Sequence, residues 1–266
     1  MLSGLELADL KLKRAADHIK AISPHVVAYA ARVLHEVIPD AEGKDTVHVN
    51  ELPPVDISIL AGEVLYQLRS SLDYLAFDLV KLNPAKIPLP PDWEKNCCFP
   101  LWLNTPKKPP VYNCFKNALP GISKPAFAFI EGVQPYNRGK FGIFEVSNVL
   151  WLLAELSNVD KHRHLNLTPI NIGHIQMVTT KVGASKLATF SYNTVRSGAK
   201  LDPALPPDKM ADVVDVKREF SSYVTFDEST LGPGMSELAV QLVLESCLDS
   251  IKGVIVPAFV EFLKKS

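Results

Sequence analysis

Residues 57–82 read ISILAGEVLYQLRSSLDYLAFDLVKL, and this stretch decides the fold. Its leucines follow one another at spacings of three and four: Leu65, Leu68, Leu72, Leu75 and Leu79. This spacing places them on one face of an α-helix, and a continuous apolar face is typical of a helix packed against other helices. The stretch therefore predicts a long helix at the centre of a helical bundle.

A second face of the same helix lies about a quarter-turn from the leucines on the 3.6-residue period. It carries small, polar and aromatic residues, which we call the first strip: Gly62, Tyr66, Arg69, Asp73, Ala76 and Phe77. One helix is thus expected to supply both a core-facing side and a polar–aromatic side. Whatever the protein does, this second side is the first place to look.

A second amphipathic helix is predicted over residues 143–163. Its core-facing residues are Val149, Leu152, Leu156 and Val159. The neighbouring face, again at spacings of three and four, carries Asn148, Trp151, Glu155, Asn158 and His162. The helix ends in the polar sequence NVDKHRH, residues 158–164, which we call the second strip. We expect the two strips to face each other.

The remaining sequence predicts an α+β fold, a bundle of four to five helices with a small antiparallel β-sheet inserted before the C-terminal helix. We expect residues 1–266 to form a single domain, because the apolar face of the last helix needs the bundle. The predicted elements are a helix over 5–37 that Pro24 kinks or restarts, a strand over 46–52, an ordered proline-rich covering segment over 83–125, a helix over 124–133, strands over 167–180, 187–192 and 213–226, and a last helix kinked at Pro257.

Composition excludes several classes of protein. The net charge of −1 provides no global basic field for nucleic acid or an anionic membrane. The start of the chain is amphipathic rather than a signal peptide, and no apolar run is long enough to span a bilayer. The four cysteines include no CxxC pair, which favours reduced thiols and a cytoplasmic protein.

Familiar site motifs are absent from the sequence. There is no G-x-x-x-x-G-K-[ST], G-x-G-x-x-G, G-x-S-x-G or H-E-x-x-H pattern, so no cofactor and no metal are predicted. Metal binding by Asp160, His162 and His164 is disfavoured, because residues two apart face different sides of a helix.

The first strip admits two interpretations. Arg69 and Asp73 are four residues apart on the helix, so they can form an ordinary ion pair worth a few tenths of a kcal/mol. Alternatively, Asp73 orients the planar guanidinium of Arg69 toward an anion such as a phosphate. The residue types and the spacing fit both readings.

The second strip is equally open. Lys161, His162 and Arg163 lie in the last turn of a helix, where cations complement the helix dipole. The density of Asn, Asp, Lys, Arg and His instead indicates a functional cluster in which His162 acts as general acid or base. The candidate binding residues around it are Tyr66, Tyr74, Asp160, Lys161 and Arg163.

Four segments in this order, GEVLYQLRSSLDYLAFDLV, CFPLW, IEGVQPY and LLAELSNVDKHRHL, resemble a widespread group of bacterial proteins without an established activity. The resemblance covers roughly residues 60–165. The arginine of this group, followed along the helix by histidine, is also similar to the R-x4–6-H signature of HEPN domains. Those are all-α bundles that often act as metal-independent ribonucleases, with arginine and histidine meeting across a dimer.

The HEPN resemblance implies RNA or a nucleotide, and a second copy of the chain, as candidate partners. Arg69 matches the signature arginine, but Tyr74 stands where the group has histidine, and Tyr66 replaces its upstream histidine. Tyrosine, with a pKa of about 10, is a poor general base at neutral pH. His162 would have to supply the missing base.

Two functions are therefore predicted as alternatives. In the first, which the near-zero charge and Tyr74 favour, the strips form a binding or assembly module. In the second, the protein is a HEPN-like ribonuclease of toxin or phage-defence type. Arg69 would then hold the scissile phosphate and His162 would transfer protons, while Asp73 and Asn158 orient them.

Overall fold

The computed structural model describes residues 2–33, 35–39, 45–83, 86–104, 117–138, 145–162, 165–181, 184–196, 199–200, 213–227 and 238–264. The helices are α1 (Gly4–Arg32), α2 (Val55–Leu82), α3 (Trp93–Asn96), α4 (Lys124–Gly132), α5 (Val146–His162), α6 (Val240–Ser250) and α7 (Val256–Lys264). The strands are β1 (His35–Pro39), β2 (Asp45–Val49), β3 (Leu167–Lys181), β4 (Ala184–Arg196), β5 (Ala199–Lys200) and β6 (Val213–Phe226). The predicted α+β class, with a sheet before the C-terminal helix, is confirmed.

Helix α2 is the central helix that the leucine spacing predicts. All five leucines of its core-facing side are buried in one hydrophobic core, which also receives residues of α1, α4, α5, α6 and α7. The helix begins directly after Pro54 and ends at Asn83, which adopts the left-handed conformation with φ of 42°. Asparagine tolerates this conformation better than most residues, and such a residue commonly terminates a helix.

Helix α1 runs antiparallel beside α2 and differs from its prediction at its C-terminal end. Ser3 and Glu6 form a reciprocal capping box at its start. The helix continues through Pro24 without restarting and ends at Arg32 rather than at residue 37. Residues 35–39 instead form β1, because this stretch is rich in β-branched residues and its backbone pairs with β2.

Two three-stranded antiparallel sheets are present in the described part of the chain, with the strand orders β1-β2-β5 and β4-β3-β6. The second sheet is the predicted one. Strand β6 has the predicted bounds and β3 ends one residue later than predicted, whereas β4 is longer at both ends. The pairing of β3 with β6 begins at Leu167 with Phe226 and at Thr168 with Thr225. Because Val224 and Phe226 belong to the core, this end of the sheet is attached to the bundle.

The proline-rich segment is ordered over residues 86–104, as predicted, and covers one side of α2. Trp93 stacks on Phe77 with ring centroids 5.1 Å apart. Phe99 is completely buried, and the centroid of its ring lies 6.1 Å from that of Phe259 in α7. Residues 105–116 of this segment lie outside the described residues.

The last helix accommodates its proline by a local change of winding. Residues Ile251–Ile255 form a π-helical turn between α6 and α7. Pro257 has no N–H and its ring would collide with the carbonyl four residues earlier, so a wider turn at this point relieves both problems. Among the described residues, no helix is long and apolar enough to cross a membrane.

Candidate functional site

The Arg69–Asp73 pair of the first strip contacts the backbone of one buried residue. Arg69 Nη2 donates to the carbonyl oxygen of Phe99 at 2.7 Å, and the Phe99 N–H donates to Asp73 Oδ1 at 2.9 Å. Arg69 Nε lies 3.9 Å from Asp73 Oδ1. We call these three residues the Phe99 clamp. The clamp satisfies both backbone polar groups of a residue whose side chain is completely buried.

Opposing effects act on the carboxyl group of Asp73. Burial raises its pKa above the ordinary value, while Arg69, the Phe99 N–H and Lys161 act in the opposite direction. Lys161 belongs to the second strip, so the end of α5 is close enough to the clamp to influence it. The two strips contact each other elsewhere along α2, where the carboxylate of Asp160 lies against Gly62.

Gln134 also holds the segment that contains Phe99 through hydrogen bonds. It was not among the predicted site residues. Its completely buried side chain donates from Nε2 to the carbonyls of Pro100 at 2.9 Å and Ile130 at 3.0 Å. Its Oε1 accepts from the Trp102 N–H at 3.1 Å. The Tyr136 N–H donates to the Trp102 carbonyl, also at 3.1 Å. In the sequence, Gln134 stood out only as the first residue of the QPY segment.

Three of the four segments that carry the family resemblance therefore meet at residues 99–102. The helix α2 segment supplies Arg69 and Asp73, the CFPLW segment supplies the backbone, and the QPY segment supplies Gln134. Every described hydrogen bond of the Arg69 side chain is made to this backbone. The arrangement holds an extended segment in place, which is a structural task that requires no substrate.

Two adjacent cysteines lie beside the clamp. Burial raises the pKa of Cys97 to about 12, and the Cys98 and Asp73 charges add to this rise. Burial also raises the pKa of Cys98, with Asp73 adding to it and Arg69 and Lys161 opposing it. Both thiols therefore stay protonated near neutral pH, which makes them weak nucleophiles.

The residues of the second strip differ in what surrounds their side chains. Asp160 approaches the backbone of α2 so closely that a Cβ built on Gly62 would lie 2.5 Å from Asp160 Oδ1. Asn158 is exposed. Residues 163 and 164 lie outside the described residues, and so does the side chain of His162. The predicted roles of His162 and Arg163 therefore stay predictions.

Two neighbouring grooves run along α1 and α2 and share Tyr66. The Asp73 groove, of about 390 Å³, is lined by Lys11, Ser70, Asp73, Tyr74, Phe77 and Cys97, among others. The Asp160 groove, of about 560 Å³, is lined by Arg14, His18, Glu63, Gln67 and Asp160, among others. A larger cavity of about 680 Å³ between α4, α5 and the last helix contains none of the predicted site residues.

Tyr66 is 63% exposed and separates the two grooves. The ammonium group of Lys11 lies 5.2 Å from the centre of its ring, on the side of the Asp73 groove. The grooves bring charges of both signs next to aromatic surface. Within the described ranges, no group of three or more histidine, cysteine or acidic residues is placed to hold a metal ion.

Comparison of the chain with protein-family models found no match, and searches of curated proteins and of solved structures found none either. The resemblance stated from the sequence is therefore supported by its motifs alone. The geometry of the strips carries the functional argument.

Proposed function

We propose that the protein is a binding module whose ligand occupies the grooves beside Tyr66, with the Phe99 clamp as their structural support. One observation carries this proposal: Arg69 and Asp73 are already bonded to the carbonyl and N–H of Phe99. If Arg69 swung its guanidinium away to grip a phosphate, it would release the Phe99 carbonyl next to the core. Release would leave that group without a partner, at a cost of about 1–3 kcal/mol.

The surroundings of the clamp support binding better than proton transfer. Tyr74, at the position of the family's histidine, lines the Asp73 groove as an aromatic wall. The cysteine thiols nearby have raised pKa values and supply no nucleophile at neutral pH. The grooves themselves offer aromatic rings and paired charges, which are the groups that orient small ligands in pockets of this size.

The ribonuclease alternative makes a different demand on the same residues. It requires Arg69 to bind a scissile phosphate, and it requires His162 to act as the base. Under that hypothesis Arg69→Ala abolishes cleavage. Under the binding hypothesis there is no cleavage to abolish, and Arg69→Ala acts on stability.

Incubation of the purified full-length protein with total cellular RNA in EDTA separates the two hypotheses. The binding hypothesis predicts the same RNA profile with wild-type protein, with Arg69→Ala, with His162→Ala and with no protein. Lys13→Ala, which removes an exposed cation of α1, is the matched control for surface charge. Discrete fragments made by wild-type and Lys13→Ala protein, but not by Arg69→Ala or His162→Ala protein, would reject the binding proposal in favour of a metal-independent nuclease.

A further inference from the structure

The Asp73 groove follows the line along which α1 and α2 pack against each other, and contacts fix its two ends. At one end, the ammonium group of Lys11 lies 5.2 Å from the centre of the Tyr66 ring. At the other end, Asp78 accepts the Leu5 N–H at 3.0 Å. Because the two helices are antiparallel, the groove residues between these contacts follow one another in chain order along each helix.

Lys11 is the cation that this groove leaves available to a ligand. Its side chain is half-buried, and among the described residues its interaction with the Tyr66 ring is made without any hydrogen bond or ion pair. An ammonium group on an aromatic face keeps N–H donors for further partners. Ser70, one helical turn from Tyr66, adds a hydroxyl donor to the same wall. This end of the groove therefore favours an anion.

The carboxylates of the groove are already bound within the protein. Asp73 accepts the Phe99 N–H and lies beside Arg69. Asp78 accepts a backbone N–H in the first turn of α1, where the helix dipole favours a negative charge. The charges of both carboxylates are thus compensated inside the protein, whereas the charge of the half-buried lysine is not.

A second lysine of the groove, Lys81, is placed less favourably for a ligand. It is exposed and lies in the last turn of α2, where a cation already complements the helix dipole. An exposed ammonium group stays hydrated, so an ion pair formed with it contributes little. The charged group of a ligand should therefore lie at the Lys11 end of the groove.

The wall between the two ends is largely apolar. Leu7 of α1 and the rings of Tyr74 and Phe77 of α2 line this part. From Ser70 to Phe77 the helix rises about 10 Å. At about 1.2 Å per bond of an extended chain, this length corresponds to roughly eight bonds. A groove of about 390 Å³ has room for such a chain and its head group.

We propose that the Asp73 groove binds a medium-chain carboxylate, with its carboxylate on Lys11 and its hydrocarbon chain along Tyr74 and Phe77. This inference rests on the proposed binding function and names the class of ligand. The lysine supplies a charge-assisted contact, and the rings remove the chain from water. A ligand that lacks either the charge or the chain loses one of these two contributions.

Calorimetric titration of the purified protein with sodium octanoate, below the concentration at which octanoate forms micelles, tests the proposal. We expect octanoate to bind. Hexanoate should bind on the order of tenfold more weakly, because two fewer methylene groups leave water. Octanamide, which has the same chain without the charge, should also bind on the order of tenfold more weakly. The inference is overturned if octanoate does not bind, or if either analogue binds as tightly as octanoate.

Lysine variants locate the carboxylate of the ligand. Lys11→Gln should weaken octanoate binding on the order of tenfold, whereas Lys11→Arg, which keeps the charge, should bind within about threefold of wild type. Lys13→Gln removes an exposed cation of α1 outside the groove and is the matched control. Lys81→Gln should lose less affinity than Lys11→Gln. Unchanged binding by Lys11→Gln, or a larger loss in Lys81→Gln, would contradict the proposed orientation and overturn the inference.

Two further comparisons keep this test independent of folding and of the proposed function. The ligand analogues are measured on wild-type protein, so their result stands even if a lysine variant fails to fold. Absence of octanoate binding together with absence of RNA cleavage rejects the ligand class alone. Arg69-dependent RNA cleavage rejects the binding function itself.

Discussion

At the scale of single residues, Gln134 and Gln67 differ in whether the buried polar atoms of their side chains are hydrogen-bonded. Gln134 bonds three backbone groups while completely buried. The Oε1 of Gln67 is buried but has no hydrogen-bond partner within the described part of the chain. Burial of a polar atom is stabilising only when its hydrogen bonds are made. The same substitution should therefore have different consequences at the two positions.

We predict that Gln134→Leu lowers the free energy of unfolding by about 3 kcal/mol, because it leaves backbone groups of residues 100 and 102 unpaired next to the core. Gln67→Leu removes an unpaired atom and should change the same quantity by less than about 1 kcal/mol. Urea unfolding of both variants measures the contrast. Equal losses would show that the three hydrogen bonds of Gln134 do not hold the segment.

The thiol of Cys97 allows a prediction about pH. Burial raises its pKa to about 12, so little thiolate is present in the folded protein at pH 8. We expect iodoacetamide to alkylate Cys97 on the order of a thousand times more slowly in the folded than in the denatured protein, because the reaction needs the thiolate. Stability should also fall as pH rises above about 9, where the unfolded thiol ionises first.

Peptide fragmentation in a mass spectrometer distinguishes Cys97 from its neighbour Cys98 and gives the two rates. Denatured protein at the same pH is the control for intrinsic reactivity. Equal alkylation of Cys97 in folded and denatured protein would mean that the thiol is neither buried nor protonated, and that the wall beside Asp73 is open.

At the scale of elements, the close crossing of α1 and α2 depends on Gly4. A Cβ at this position would collide with the backbone carbonyl of Tyr74 and with the carboxyl of Asp78. The same Asp78 accepts the Leu5 N–H at 3.0 Å, which satisfies a free donor at the start of α1. Gly253 of the π turn has open space around it.

We predict that Gly4→Ala lowers Tm, since α1 must shift away from α2 and weaken the Asp78 bond. Gly253→Ala should leave Tm unchanged or raise it by an amount equivalent to about 0.5–1 kcal/mol, because alanine is entropically favoured in a helical position. Thermal unfolding followed by circular dichroism compares the two. A stabilised Gly4→Ala protein would show that the two helices are not in such close contact.

Sequence patterns predicted the elements with a clear period and missed those fixed by distant partners. The leucines of α2 and the apolar seam of α5 gave the correct helices, because each spacing reports one buried face. The predicted end of α1 at residue 37 was wrong, because residues 35–39 form a strand that depends on pairing with β2. The π turn was missed because it arises from how a helix adjusts around Pro257, which spacing does not encode.

Sequence patterns placed Arg69 and Asp73 together on α2 but did not reveal what they contact. The spacing of Arg69 and Asp73 placed them on one face, yet their partner is the backbone of Phe99 in the segment that follows α2, which no local pattern reveals. Gln134 appeared only as part of a motif.

At the scale of the whole molecule, the Phe99 clamp and Gln134 join three separate parts of the chain around one extended segment. Phe99 enters the core beside Phe259, so the segment also connects to the last helix. Interactions between distant parts of a chain cost loop-closure entropy to form and give stability only once the fold is assembled. The clamp should therefore matter for the stability of the entire bundle.

The most direct measurement is the free energy of unfolding of Arg69→Ala in urea, beside Lys13→Ala as the exposed-cation control and Asp73→Asn as the conservative partner. If Arg69 holds Phe99, Arg69→Ala loses about 2 kcal/mol, as expected for a charge-assisted hydrogen bond to a shielded carbonyl, and Lys13→Ala loses less than about 0.5. Asp73→Asn should lose less than Arg69→Ala, because the asparagine oxygen still accepts from the Phe99 N–H. A loss of only about 0.3–0.5 kcal/mol for Arg69→Ala is what a simple intrahelical ion pair gives, and it would contradict the clamp.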